Sequence, residues 1–220
     1  MMEPKNLCAV CGGIAACAFS PCEECEKRMR WYNTDACSVC AADLAGADNP
    51  CPDCREREEA WALDGLSCIG PWMGPLREWL SMLKYGGDAR LALWLARELI
   101  EIRAKRWPDR PVIPVPPRRG KIRREGHYTV YQLADVLAGD GIPVLKALTR
   151  LDKMTQKSLN REERLKGCRL SYRINARVNL PPSVILLDDV TTTGATLSKC
   201  ATILKSAGVK QVFAMAVCRD

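Results

Sequence analysis

One histidine and two phenylalanines occur in this 220-residue chain, and aromatic residues make up only 6% of it. A single histidine rules out any mechanism that needs two. No run approaches the roughly 20 apolar residues of a membrane helix, so membrane insertion is not expected. The N-terminal MMEPKNLCAVCGG lacks the apolar segment of a secretory signal, and a cytoplasmic protein is the expectation. The phosphate-binding fingerprints GxxxxGK[ST] and strand-GxGxxG are absent. Gly/Ser linkers and low-complexity tracts are absent too.

What is present is cysteine and positive charge. The chain has 13 cysteines, 33 Lys+Arg against 26 Asp+Glu, a net charge of +7, and 47% hydrophobic residues, a composition suited to a globular protein. Neither feature is evenly spread. Residues 1–60 carry 6 basic and 11 acidic side chains, residues 61–220 carry 27 and 15, and nine cysteines precede residue 55. The coincident shifts predict two modules, 1–60 and 61–220.

The cysteines of the first module form four CxxC pairs: Cys8/Cys11, Cys22/Cys25, Cys37/Cys40 and Cys51/Cys54. Ten, eleven and ten residues separate them. One CxxC turn offers two thiolates to one ion, and two such turns about ten residues apart close a tetrahedral four-thiolate site. Disulfides need an oxidising compartment, to which nothing here directs the chain. Some 55 residues with few large apolar side chains cannot fold on burial alone, so the metal is structural and supplies stability. Zinc and iron both suit the ligands. An interleaved pairing of the turns, and a role for the spare Cys17, stay open at this point. With eight thiolates around two Zn²⁺, the first module moves from −5 to about −9 beside a +12 second module.

Helical stripes appear at Leu76, Trp79, Leu80, Leu83 (75–84) and at Leu91, Leu95, Leu99, Ile102 (89–102), broken by Gly86-Gly87. A strand is expected at Val112–Val115, a helix at 129–138, a short strand at 142–145, and a doubly buried strand at 184–187. A helix at 196–207 ending at Gly208 and a strand at 211–217 follow. Alternating strands and helices imply an α/β fold with a parallel sheet.

The chemistry concentrates in Leu186-Leu187-Asp188-Asp189-Val190-Thr191-Thr192-Thr193-Gly194-Ala195-Thr196. A buried strand delivers two carboxylates to its C-terminal edge, where ligands of open α/β sheets bind. A small-residue loop then opens a helix, whose N-terminal amides cradle phosphate, with Thr192, Thr193 and Thr196 adding hydroxyls. Acids beside a phosphate cradle would repel the phosphate, so they face hydrogen-bond donors; vicinal ribose hydroxyls fit. The residues read as a ribose 5-phosphate site.

This stretch resembles the phosphoribosyl diphosphate (PRPP) signature of type I phosphoribosyltransferases. With the cysteine module, nearly the whole chain resembles the ComF/ComFC competence family, whose members join a double zinc ribbon to a phosphoribosyltransferase domain. Further similar pieces are Leu83-Lys84-Tyr85 with Gly87-Asp88, Val115-Pro116, Arg123, Gly126, Thr155-Gln156, Leu159 and Arg161-Glu162-Glu163-Arg164. The resemblance implies a type I phosphoribosyltransferase-like parallel sheet flanked by helices behind a small N-terminal double zinc ribbon. It implies that Asp188 and Asp189 hold the ribose hydroxyls and that Thr192, Thr193, Gly194, Ala195 and Thr196 hold the 5-phosphate. Arg118, Arg119, Lys121 and Arg123 would serve the pyrophosphate loop, and Thr155, Gln156, Arg161 and Arg164 the lid. Residues 103–124 hold nine basic side chains against one acid, and 146–177 ten against three, which suits a departing pyrophosphate with Mg²⁺. A solvated basic face or nucleic-acid contact would leave the same trace.

The chain departs from the family where Pro117-Arg118-Arg119-Gly120-Lys121 replaces a His-Pro-Arg-Arg-type stretch and where His127-Tyr128-Thr129 replaces Phe-Asn-Gln. His127 reads either as a general base or as a structural side chain. The expected function is transfer of phosphoribosyl from PRPP in support of DNA uptake during natural transformation. The alternative is a non-catalytic factor binding single-stranded DNA or DNA-uptake proteins, with a regulatory or vestigial PRPP site. A purine-type salvage transferase would match only the second module.

Overall fold

The computed structural model describes residues 6–18, 20–30, 36–42, 44, 46, 48–56, 61–117, 122, 126–151 and 172–220. Two short helices, α1 (Glu23–Met29) and α2 (Pro52–Arg55), belong to the cysteine-rich part. There follow β1 (Gly65–Pro71), α3 (Gly74–Gly86), a 3₁₀ turn (Ala89–Leu91), α4 (Ala92–Arg106), β2 (Val112–Pro114) and α5 (Thr129–Gly139). The chain then runs through β3 (Leu148–Arg150), β4 (Tyr172–Ile174), β5 (Ser183–Thr191), α6 (Ala195–Ser206) and β6 (Gln211–Arg219).

Four strands form one parallel sheet in the order β1-β6-β5-β2, while β3 and β4 pair antiparallel beside it. Side chains alternate across β5 and β6 as the two-residue period of a strand requires. Ile185, Leu187, Phe213, Met215 and Val217 pack with α3, α4 and α5 on one face. Val184, Leu186, Val212, Ala214 and Ala216 pack with Leu197, Cys200 and Leu204 of α6 on the other. The result is the expected α/β class, a helix-covered parallel sheet behind two N-terminal cysteine clusters.

Two elements differ from expectation. At 142–145 only a single parallel bridge forms, Val112 to Val144. Pro143 lacks an N–H and offers only its carbonyl, which accepts from Val112 N at 2.8 Å, so the ladder stops there. At 89–102 the helix starts as a 3₁₀ turn, because the Asp88 carboxylate accepts from Arg90 N at 3.0 Å and tightens the entry.

The cysteine-rich part rests on the sheet module. Met29 is fully buried in the larger core cluster. Arg30 Nε donates to Glu98 Oε2 of α4 at 2.7 Å, and the same guanidinium meets the other Glu98 oxygen. Among the described residues, no helix is long and apolar enough to cross a membrane.

Candidate functional site

Parallel pairing puts the C-terminal ends of all four strands at one edge, and the acidic pair stands there. Asp188 is buried and Asp189 half-buried on β5. Each carboxylate accepts from the next backbone N–H: Asp189 N to Asp188 Oδ1 at 2.9 Å, and Val190 N to Asp189 Oδ1 at 2.7 Å. These bonds fix both side chains against the end of the strand. Burial, then the neighbouring Asp189 charge, pushes the Asp188 carboxyl up from 3.8 to about 8. Asp188 is thus a proton-holding acid at neutral pH until a cation or hydrogen-bond donor arrives.

Lys84, from the last turn of α3, reaches Asp189 Oδ2 at 3.0 Å. Its ammonium also lies 5.3 Å from the Trp72 ring centroid, just past the end of β1. The Lys84 pair had no role in the sequence reading, although Leu83-Lys84-Tyr85 was a similar piece; its partner lies 105 positions away in the chain, and only the fold joins them. Tyr128 stands behind the acids, donating its hydroxyl to Val115 O at 3.1 Å. Burial, then Asp188 and Asp189, pushes its phenol far above the usual range. His127 Nε2 is 2.8 Å from the Lys84 carbonyl, and a Cβ on Gly87 would lie 3.0 Å from its Nδ1. The structure supports the structural reading of His127, at the turn that ends α3.

After Thr191 the loop carries Thr192 and Thr193, both exposed, to Gly194, which has φ 70° and starts α6. Thr193 Oγ1 accepts from Ala195 N at 3.3 Å, so this hydroxyl already serves the helix start. Ala195 and Thr196 are exposed in the first turn, where helical N–H groups lack intrahelical partners. The structure therefore gathers Asp188, Asp189, Thr192, Thr193, Gly194, Ala195 and Thr196 at one edge. Arg118, Arg119, Lys121, Arg123, Thr155, Gln156, Arg161 and Arg164 lie outside the described residues.

The cysteines form two cages in sequential pairing, Cys8/Cys11/Cys22/Cys25 and Cys37/Cys40/Cys51/Cys54, each with its sulfur atoms within 4.8 Å of one another. Zn–S bonds of about 2.3 Å in a tetrahedron put sulfurs about 3.8 Å apart. Cys11 and Cys22 are 3.6 Å apart, and Cys40 and Cys51 3.7 Å. Both cages could therefore hold zinc. Backbone N–H groups point at sulfur: Cys22 N to Cys8 at 3.2 Å, Gly13 N to Cys11 at 3.4 Å, and Cys51 N to Cys37 at 3.4 Å. Burial opposes ionisation of Cys8 and Cys37, but N–H donors outweigh it and hold the thiols down at about 6 and about 7. Burial and the neighbouring sulfurs push Cys25 and Cys54 up, so a dication is what would ionise the full set. Cys17 is exposed and stands apart from both cages.

No family model matches the chain. It is 28% identical over 144 residues to Competence protein ComFC of Streptococcus pneumoniae (strain ATCC BAA-255 / R6), covering 66% of this chain and 63% of that protein. It is 29% identical over 136 residues to Competence protein ComFC of Bacillus subtilis (strain 168), covering 60% of this chain and 55% of that protein. The match thus spans less than two thirds of the length of these curated relatives. Together with the two tetracysteine cages, the two matches bear out the resemblance of this chain to the ComF/ComFC family.

Proposed function

We propose that the chain binds PRPP with Mg²⁺ at the β5–α6 edge and transfers its phosphoribosyl group to an acceptor, releasing pyrophosphate, in support of DNA uptake. The observation that carries this reading is the pair of the buried Asp188 and the half-buried Asp189, followed within a few residues by a glycine-containing helix start. Ribose hydroxyls donate to the two carboxylates while the 5-phosphate meets the loop hydroxyls and first-turn amides. The C1–O bond lengthens, pyrophosphate leaves with the bonding electrons, and the acceptor's lone pair closes on C1. Mg²⁺ bound with PRPP would offset charge on the departing pyrophosphate. The chain supplies positioning and charge compensation, and no protein nucleophile is needed.

Asp188→Asn combined with Asp189→Asn is expected to abolish PRPP binding in calorimetry while metal content stays unchanged. Unaltered PRPP affinity in that variant would sink the site assignment.

A second reading, a non-catalytic competence factor that contacts single-stranded DNA and keeps PRPP as a regulator, is favoured by the names of the relatives and by the +12 balance of residues 61–220. It requires DNA affinity that falls steeply with salt and no pyrophosphate release with any acceptor.

A further inference from the structure

Trp61 stands where the second cysteine cage, the sheet module and the loop entering α6 meet. Its ring packs on the apolar shell around Cys37, Cys40, Leu44 and Cys51. It also packs on the core cluster that contains Leu197 and Cys200 of α6. The loop contact is unusually close. A Cβ on Gly194 would lie 2.3 Å from Trp61 Cη2 and 3.0 Å from Cζ3, so only a glycine admits the ring there. The next residue ties the same segment to the helix, with Ala62 N donating to Ser198 Oγ at 3.3 Å. The cage leans on the sheet as well: a Cβ on Gly65, the first residue of β1, would sit 3.6 Å from the Ser38 carbonyl. An ordinary core tryptophan fills one cavity. This one spans a metal cage on one side and, on the other, the glycine that sets the direction of the first helical amides.

We propose that Trp61 is a positioning residue for the phosphate-binding loop, through which metal in the Cys37/Cys40/Cys51/Cys54 cage sets PRPP affinity. This inference rests on the reading of the β5–α6 loop as the 5-phosphate cradle. A loaded cage holds Trp61 against Gly194 and keeps the loop in its binding geometry; an emptied cage releases the ring. The Cys8/Cys11/Cys22/Cys25 cage has no such contact among the described residues, so its metal is not coupled in this way. Coupling between two binding sites is reciprocal, so PRPP must tighten metal binding at the second cage by the same factor.

The test uses the full chain loaded with zinc. A zinc-selective chelator is titrated with and without PRPP and Mg²⁺, and alkylation of freed cysteines, read by mass spectrometry, assigns release to each cage. PRPP is expected to raise the chelator concentration needed to free Cys37, Cys40, Cys51 and Cys54 by about tenfold, within the usual range of coupling between sites. It should leave release of the first cage unchanged. In Trp61→Ala the protection disappears although both cages still load. Trp61→Phe, which keeps aromatic packing but falls short of Gly194, loses most of it and serves if the alanine variant does not fold. PRPP binding in calorimetry with no selective protection of the second cage overturns the coupling alone. Absence of PRPP binding to the zinc-loaded chain overturns both this inference and the PRPP reading.

Discussion

Asp188 is a carboxyl group kept from water at the end of a strand, and its proton is what a ligand must displace. Its pKa, raised from 3.8 to about 8, makes it a weaker acid that keeps its proton at pH 7 in the folded chain without ligand. Ribose hydroxyls and a magnesium ion both favour the carboxylate. PRPP binding at pH 7 is therefore expected to release a proton, and affinity should climb with pH until about 8 and then level. Calorimetry at pH 7 in buffers of different ionisation enthalpy reads the release directly; the buffer dependence should vanish at pH 9. Lys84 is one of the charges that favours the Asp188 carboxylate. In Lys84→Met the climb is expected to move to higher pH, with PRPP affinity at pH 7 down about tenfold. The acids and the loop were legible in the sequence because they are contiguous, with only Val190, Thr191, Thr192, Thr193 and Gly194 between Asp189 and the first helical residue, Ala195.

Elements carry the joint between the two parts of the chain. Helix α1 of the first cage ends at Met29 and hands Arg30 to the buried Glu98 of α4. Glu98 is only 2% exposed, so removing the guanidinium leaves a desolvated carboxylate without that partner. Arg30→Ala is expected to cost about 2 kcal/mol, the upper values for buried pairs being reduced because Arg30 itself is partly exposed. Urea unfolding checks this, and Arg30→Ala with Glu98→Gln should recover part of the loss. Periodic helices such as α3 and the apolar run of β5 were readable because burial writes itself into spacing. Strand β1 was not, since its Gly-Leu-Ser-Cys-Ile-Gly-Pro sequence looks like a loop. The structure explains the small residue at its start: a Cβ on Gly65 would meet Trp107 at 3.3 Å and Phe213 at 3.4 Å. The hairpin of β3 and β4 was missed because its partners are far apart in sequence, and pairing of that range leaves no local signature.

At the scale of the whole molecule, metal is expected at two equivalents per chain, and elemental analysis distinguishes zinc from iron. Stripping both ions should unfold the cysteine-rich part, expose Met29 and its pocket, and lower the thermal midpoint of the sheet module as well. A sheet module melting at an unchanged temperature would show the two parts to be energetically separate. The cages were legible from spacing, but their sequential pairing and the Trp61 contact depend on how the chain closes in space. The sheet order has a further bearing on how the chain is made. β6, the latest strand in sequence, lies between β1 and β5, so β1 has no neighbour in the sheet until synthesis has passed residue 211. Residues 8–54 can close around their ions much earlier, from contacts at most a few dozen positions apart. On the ribosome, the first part to mature would be the metal cages, while a growing sheet with an open seam waits for the strand that fills it.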